Sequence, residues 1–269
     1  MFKHFRKRRA EKRRRKFLFF IGVFLIFLIF FFSAEKISGK ISRFLLERQK
    51  SEIAKIVPQK PKKIILKTEK KLSPTENFLK NLPKKFPEKM MLDVFFVCQN
   101  PFQNAAGWKF HKESCEEAAA LQNVLFWRGE TISPENADRK IREMIAFQEK
   151  KFGEHRDLYG EDFRVFVRDF FGFADDEVLF FPKIDKIFLK RSIAAGFPVI
   201  VPVRSKLLKN PFYPYPGYHM LSVIGFSGDT IITNDVGTKR GEKYPYPADR
   251  FLRANAAAGG GGFVLAPKK

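Results

Sequence analysis

The stretch "ESCEEAAALQNVLFWRG" sets Cys115 at the start of a segment rich in strong helix formers, so residues 114–127 are expected to be helical. A thiol in the first turn of a helix feels the partial positive charge of that end and its unpaired N–H groups. Both favour the thiolate, which lowers the thiol pKa, makes the cysteine a nucleophile near neutral pH and offers N–H donors to an oxyanion. A buried packing cysteine is the competing reading, because free cysteine is among the most buried residue types. The choice between them turns on a base. The chain has four histidines. His4 sits in a basic N-terminal run, His155 lies in the polar stretch "GEHRDLYG", and His111 precedes Cys115 in the segment feeding its helix. His219 opens the strand-like "HMLSVIGF" directly after the loop "NPFYPYPGY", a placement that presents an imidazole at a sheet edge beside a cleft. One strand later "TIITNDVG" supplies Asn234 and Asp235, either of which could orient the second ring nitrogen. Adjacent strand residues point to opposite faces, so only one of them can face His219; Asp235 is preferred and Asn234 is its alternate.

Positioning these groups requires helices before a sheet. "SPENADRKIREMIAFQEKKFG" carries Ser133 as N-cap, Pro134 in the first turn and Gly153 as stop. Further helices are expected in "EDFRVFVRDFFG" and in "KIDKIFLKRSIAAG", the latter closed by Gly196. "MLDVFFVCQ" reads as a short strand or extended segment. Strands follow in "FPVIVPV", "YHMLSVIGF" and "TIITND", the last two joined as a hairpin by "SGD". Helices first and an antiparallel sheet afterwards predict an α+β domain.

The formal charge of +22 suggests nucleic acid until it is divided along the chain. Residues 1–16 carry about +9 and residues 35–90 about +10, which leaves about +3 for the remainder beyond residue 90. The basicity belongs to the flanking segments, so the folded domain is not expected to bind nucleic acid. "FLFFIGVFLIFLIFFFSA", residues 17–34, is uncharged and of the length that crosses a bilayer as a helix. Phe32 stands where a signal cleavage site needs a small residue, which favours an uncleaved anchor over a cleaved signal. The bases before the run outnumber those after it, predicting a cytoplasmic N-terminus and an extracytoplasmic C-terminal domain in a single-pass cell-membrane protein, with the lipid bilayer as its partner through residues 17–34. Ile41, Phe44, Leu45, Ile53 and Ile56 recur at roughly helical spacing, as in an amphipathic or coiled-coil stalk. Five prolines among the lysines of residues 58–89 predict a spacer. The expected organisation is a basic tail over 1–16, an anchor over 17–34, a basic stalk over 35–90, a domain over 91–255, and a flexible glycine-rich tail over 256–269.

Together "VCQNPFQ", "GW", "ESCEEAAAL", "IAAGFPVIVPV", "YHMLSVIGF" and "IITNDVGTKRG" resemble the C39-like cysteine peptidases, papain-like relatives of the bacteriocin-leader processing peptidases, over roughly residues 91–255. The resemblance implies a papain-like fold with N-terminal helices packed on an antiparallel sheet, behind the single transmembrane helix. It implies Cys115 as nucleophile, His219 as general base and acid, Asp235 as orienting residue, and Gln99 as side-chain donor to the oxyanion hole, with Gln103 as its fallback. Its substrate would be a peptide or protein, cut at a peptide or amide bond. Glu116 departs from the small residue many relatives carry, and a carboxylate there would raise the thiol pKa and oppose activation. The alternative is therefore a catalytically inactive papain-like module that binds peptide or cell-wall polymer; a third reading makes the basic stalk a salt-sensitive tether. No G-x-x-x-x-G-K-[ST] match is present, so leader removal powered by an ATPase in the same chain is excluded. Cys98, His111 and Cys115 lack a fourth ligand and paired ligand spacing, so neither metal nor cofactor is expected. A Cys98–Cys115 disulfide would consume the thiol, but two cysteines this close in a large domain are not a disulfide framework.

Overall fold

The computed structural model describes residues 40–61, 71–213 and 217–268. The expected anchor and basic tail lie outside these residues, and among the described residues no helix is long and apolar enough to cross a membrane. The chain divides into two units, Met1–Ser51 and Glu52–Lys269. Residues 40–54 are helical (α1), and the Ile41, Phe44 and Leu45 side chains are exposed. In the second unit Ile53 and Ile56 are buried.

The segment expected to be a spacer contributes to the folded unit. Ser73 and Glu76 form a capping box that starts α2 (Pro74–Asn81), with Pro74 at a position where its missing N–H costs nothing. Phe78 of α2 is fully buried, 5.0 Å from Phe197 and 5.5 Å from Phe181 between ring centroids. Arg191 ties the end of the segment down by donating to the carbonyls of Pro83 (3.0 Å) and Leu82 (2.8 Å).

The remaining elements are β1 (Lys89–Met91), α3 (Ala105–Phe110), α4 (Cys115–Arg128), α5 (Pro134–Phe152), α6 (Gly160–Phe171), β2 (Val178–Phe181), α7 (Lys186–Ala194), β3 (Val199–Arg204), α8 (Ser205–Leu208), β4 (Tyr218–Ser227), β5 (Thr230–Asn234), β6 (Tyr244–Pro247), α9 (Ala248–Ala256) and β7 (Gly262–Leu265). The strands form one antiparallel sheet in the order β2-β7-β3-β4-β5-β6. β4 is long enough to serve two partners on one side, β3 along its first half and β1 at Gly225–Ser227. The α+β expectation holds. Helix α5 starts and stops where its caps predict, with the Ser133 side chain accepting from the Asn136 N–H and Gly153 closing the end.

The flexible tail expected over 256–269 is a correction. β7 is an interior strand, paired with β2 through Val178↔Leu265 and with β3 through Val199↔Val264, and all four of its residues are buried. The glycine run before it makes the turn out of α9; the apolar "FVLA" that follows needs a sheet to cover it. Strand alternation then distributes the core. Phe180 faces Phe263 and, through it, Phe163 of α6, whereas Phe181, the next residue, faces Phe78 of α2 and Phe188 of α7. Helices cover both sides of the sheet.

Helix α4 is buried over Cys115–Phe126, as a helix enclosed on all sides must be. Three consecutive alanines, Ala118–Ala120, keep it slender enough to lie close to its neighbours. Its polar residues are tied to the sheet: the Gln122 side chain donates to Ser222 Oγ on β4 (2.7 Å) and to the Asn234 carbonyl on β5 (3.3 Å), and Asn123 also donates to Ser222 Oγ. These bonds fix the height of α4 against the strands that carry His219 and lead to Asp235.

Candidate active site

The β3–β4 register sets Val203 opposite His219, and the β4–β5 register sets Ser222 opposite Asn234. Continuing β5 by one residue puts Asp235 across from Leu221, on the face that His219 also occupies two residues earlier. His219 Nε2 lies 3.0 Å from Asp235 Oδ1. Asn234 turns the other way, donating to the Val94 carbonyl (2.9 Å) and accepting the Lys243 N–H (3.1 Å). Of the two orienting residues left open by the sequence, Asp235 is the one beside the imidazole.

Asp235 is wholly buried and densely satisfied. The Tyr213 hydroxyl sits 2.7 Å from Oδ1 and 2.8 Å from Oδ2, the Tyr246 hydroxyl donates to Oδ2, and the Gly237 N–H donates to Oδ1 at 3.3 Å. Asn210 lies behind them, donating to the Tyr246 oxygen at 2.7 Å. Burial opposes ionisation of this carboxyl, but the bonds from His219, Tyr246 and Tyr213 outweigh it and hold the group below the usual carboxylate range. Gly237 is required by space: a Cβ there would fall 2.7 Å from Tyr213 Cε1 and 2.8 Å from His219 Cε1.

Cys115 begins α4, and its side chain shares a cavity of about 480 Å³ with His219, Gln99, Tyr213, Asp157 and Gly237. With Nε2 committed to Asp235, Nδ1 is the ring nitrogen left for the cavity. The thiol is a free, buried group that donates to Glu116 Oε2 at 3.0 Å. The other oxygen of Glu116 accepts the Leu158 N–H at 3.1 Å, and the residue is fully buried. Burial first, and the Glu116 carboxylate second, push the Cys115 thiol well above its ordinary range. Of the two opposed sequence expectations, a thiol lowered by the helix end and one raised by Glu116, the direction found is the second. The thiol has lost its water, and its hydrogen-bond partner is itself an acid; both disfavour the thiolate. Burial, then the neighbouring Glu117, raise the Glu116 carboxyl well above the usual range as well.

Gln99 lines the cavity, whereas Gln103 is exposed. The Gln99 Nε2 donates to the carbonyls of His111 (2.7 Å) and Lys112 (3.0 Å), and its buried Oε1 has no partner among the described residues. As the first residue of α4, Cys115 has a backbone N–H with no intrahelical acceptor. Cys98 is buried, with its thiol on the Val236 carbonyl, and burial pushes it up to about 12. His111 is fully buried, with Nε2 2.7 Å from Asp138 Oδ1 and Nδ1 3.4 Å from Ser114 Oγ. That engagement explains why Ser114, the N-cap of α4, makes no side-chain cap bond. His155 stands 3.3 Å from the buried Glu117. Among the described residues no group of His, Cys, Asp and Glu is arranged to hold a metal.

Tyr213, Tyr246, Asn210, Gly237 and the Gln122–Ser222 tie were not identifiable from spacing. "NPFYPYPGY" is recognisable as the loop before the histidine strand, but nothing local says which tyrosine turns inward.

The family model of the Peptidase C39 like family matches residues 91–261. A comparison with curated proteins finds no match. Among solved structures, a Bacillus anthracis protein assigned by name to the C39-like peptidases aligns with a TM-score of 0.48 and 14% identity, covering 68% of this chain and 100% of that one.

Proposed function

This chain belongs to the Peptidase C39 like family, and we propose that it is a membrane-anchored cysteine peptidase that cleaves a peptide or amide bond outside the cytoplasm. The observation that carries the reading is the His219–Asp235 pair, 3.0 Å apart, whose imidazole lines the cavity that Cys115 also lines, with Asp235 buried behind it. In the proposed reaction the Cys115 proton leaves Glu116 and passes to His219 Nδ1. The thiolate sulfur then bonds to the substrate carbonyl carbon, and the oxyanion is met by the Cys115 N–H and by Gln99, which gives up one of its two carbonyl acceptors. The imidazolium protonates the departing amine as the C–N bond breaks, leaving a thioester. Water attacks that thioester while His219 takes its proton, the C–S bond breaks, sulfur recovers the proton from the imidazolium, and the product leaves as a carboxylic acid that ionises by giving its proton to solvent. Asp235 holds the ring and stabilises its charged form throughout. The anchor is supported by the uncharged run over 17–34, and the outward orientation by the bases that precede it.

The bond from the thiol to Glu116 supports a second reading, a module that holds a peptide in the same cavity without turnover. An electrophilic peptide probe separates the two: covalent labelling of wild-type protein that is lost in Cys115→Ala and His219→Ala supports the peptidase. Reversible peptide binding with no covalent adduct supports the module.

A further inference from the structure

None of the proposed chemical steps uses Tyr213, yet it touches both members of the His219–Asp235 pair. Its hydroxyl is within 2.8 Å of each Asp235 oxygen. Its ring meets the His219 ring edge-on, 5.1 Å between centroids at an interplanar angle of 78°. Tyr246 also bonds Asp235, but only through the far oxygen, Oδ2. The local chain is folded to bring Tyr213 in: Asn210 Oδ1 accepts the Phe212 N–H at 3.0 Å, turning the segment after α8 back toward the sheet. Gly237 then leaves the gap in which the two rings meet.

We propose that Tyr213 is a positioning residue, which fixes the Asp235 carboxylate against His219 Nε2 and sets how strongly that carboxylate stabilises the protonated imidazole. A carboxylate oxygen shared with a phenol donor presents less negative charge to the imidazole than one left to the imidazole alone. Removing the donor therefore favours imidazolium, and strengthening it disfavours imidazolium. The inference builds on the peptidase reading for its effect on turnover, but the coupling exists in the resting protein.

Other titratable groups face the pair from every side. Cys115 comes from α4, Asp157 from the segment before α6, Cys98 from the chain leading to α3, and Tyr246 from β6. All are unchanged in the variants that follow, so shifts between variants report on Tyr213. The test is the NMR titration of the His219 imidazole in the full chain, its signal identified by its loss in His219→Gln. It is run for wild type, Tyr213→Phe, and a protein carrying 2,3-difluorotyrosine at 213. The expected result is a midpoint raised by about half a unit to one unit in Tyr213→Phe and lowered in the fluorinated protein, whose more acidic phenol is a stronger donor. Midpoints that stay together, or that move in the same direction, overturn the proposal. Should Tyr213→Phe fail to fold, the nearly isosteric fluorinated protein decides alone. Because no substrate is present, opposite shifts in a protein that forms no acyl-enzyme would keep this inference and remove the peptidase reading.

Discussion

Cys115 Sγ donates a hydrogen bond to Glu116 Oε2 across 3.0 Å, so the candidate nucleophile and the acid next to it in sequence form a buried pair at the first turn of α4. A thiolate formed there meets both burial and a neighbouring acid, and both disfavour it. Glu116→Gln keeps the side-chain shape and a carbonyl oxygen for the Leu158 N–H, and removes the acid. The expected outcome is faster alkylation of Cys115 by iodoacetamide in Glu116→Gln, by about tenfold or more once the pH is high enough for Glu116 to be ionised in the wild-type protein. Superimposable rate–pH profiles for the two proteins would remove Glu116 as the group that keeps the thiol protonated.

The same carboxyl has a signature in stability. Its folded-state pKa is raised, so the native state binds this proton more tightly than the unfolded state does, and its contribution declines as pH rises above the ordinary carboxylate range toward the native value. Wild-type protein should therefore lose unfolding free energy with rising pH over that window, and Glu116→Gln should show a flatter profile. Urea midpoints measured across the window check this. Parallel profiles for the two proteins count against it.

Gly237 is the contact point of two rings. A methyl group there collides with Tyr213 and His219 at under 3 Å, and overpacking of this kind costs about 1–3 kcal/mol. Gly237→Ala should lower the unfolding free energy by that amount and reduce covalent labelling of Cys115 by about tenfold or more, because a small displacement of the proposed base, His219, is expensive in rate. Unchanged stability and labelling would show that the pair tolerates displacement.

Phe78 tests where the folded unit begins. Its ring is fully buried against Phe181, Phe188 and Phe197. Phe78→Ala should cost about 3–5 kcal/mol, measured as a drop in the denaturant midpoint. A protein beginning at residue 91 should be destabilised to a similar degree or more. Neither result is expected of a spacer.

Particular residues show how far the sequence could be read. The helix that starts at Cys115 and the strand that carries His219 were legible because helix starts and strand patterns are local rules, whereas alternation left Asn234 and Asp235 open, and it is the fold that sets Asp235 3.0 Å from His219. The caps of α5 were legible for the same reason. What escaped depends on partners distant in the chain. Four glycines concealed β7, whose strand character comes from β2 and β3 on either side. Prolines and lysines hid α2, held by Phe78 and by Arg191 more than a hundred residues later. The Glu116 share of the raised thiol pKa was legible because that carboxyl is the next residue in the chain, whereas the larger share, burial, is a property of the finished fold.

The most direct test is mass spectrometry of the intact chain after reaction with a peptide vinyl sulfone, followed by mapping of the adduct. One adduct on Cys115 in wild-type protein, absent from Cys115→Ala and at least about a hundredfold slower in His219→Ala, is the predicted result, in line with the usual contribution of a general base. Labelling that persists in Cys115→Ala, or that proceeds at the wild-type rate without His219, would contradict the assignment of these two residues as nucleophile and base.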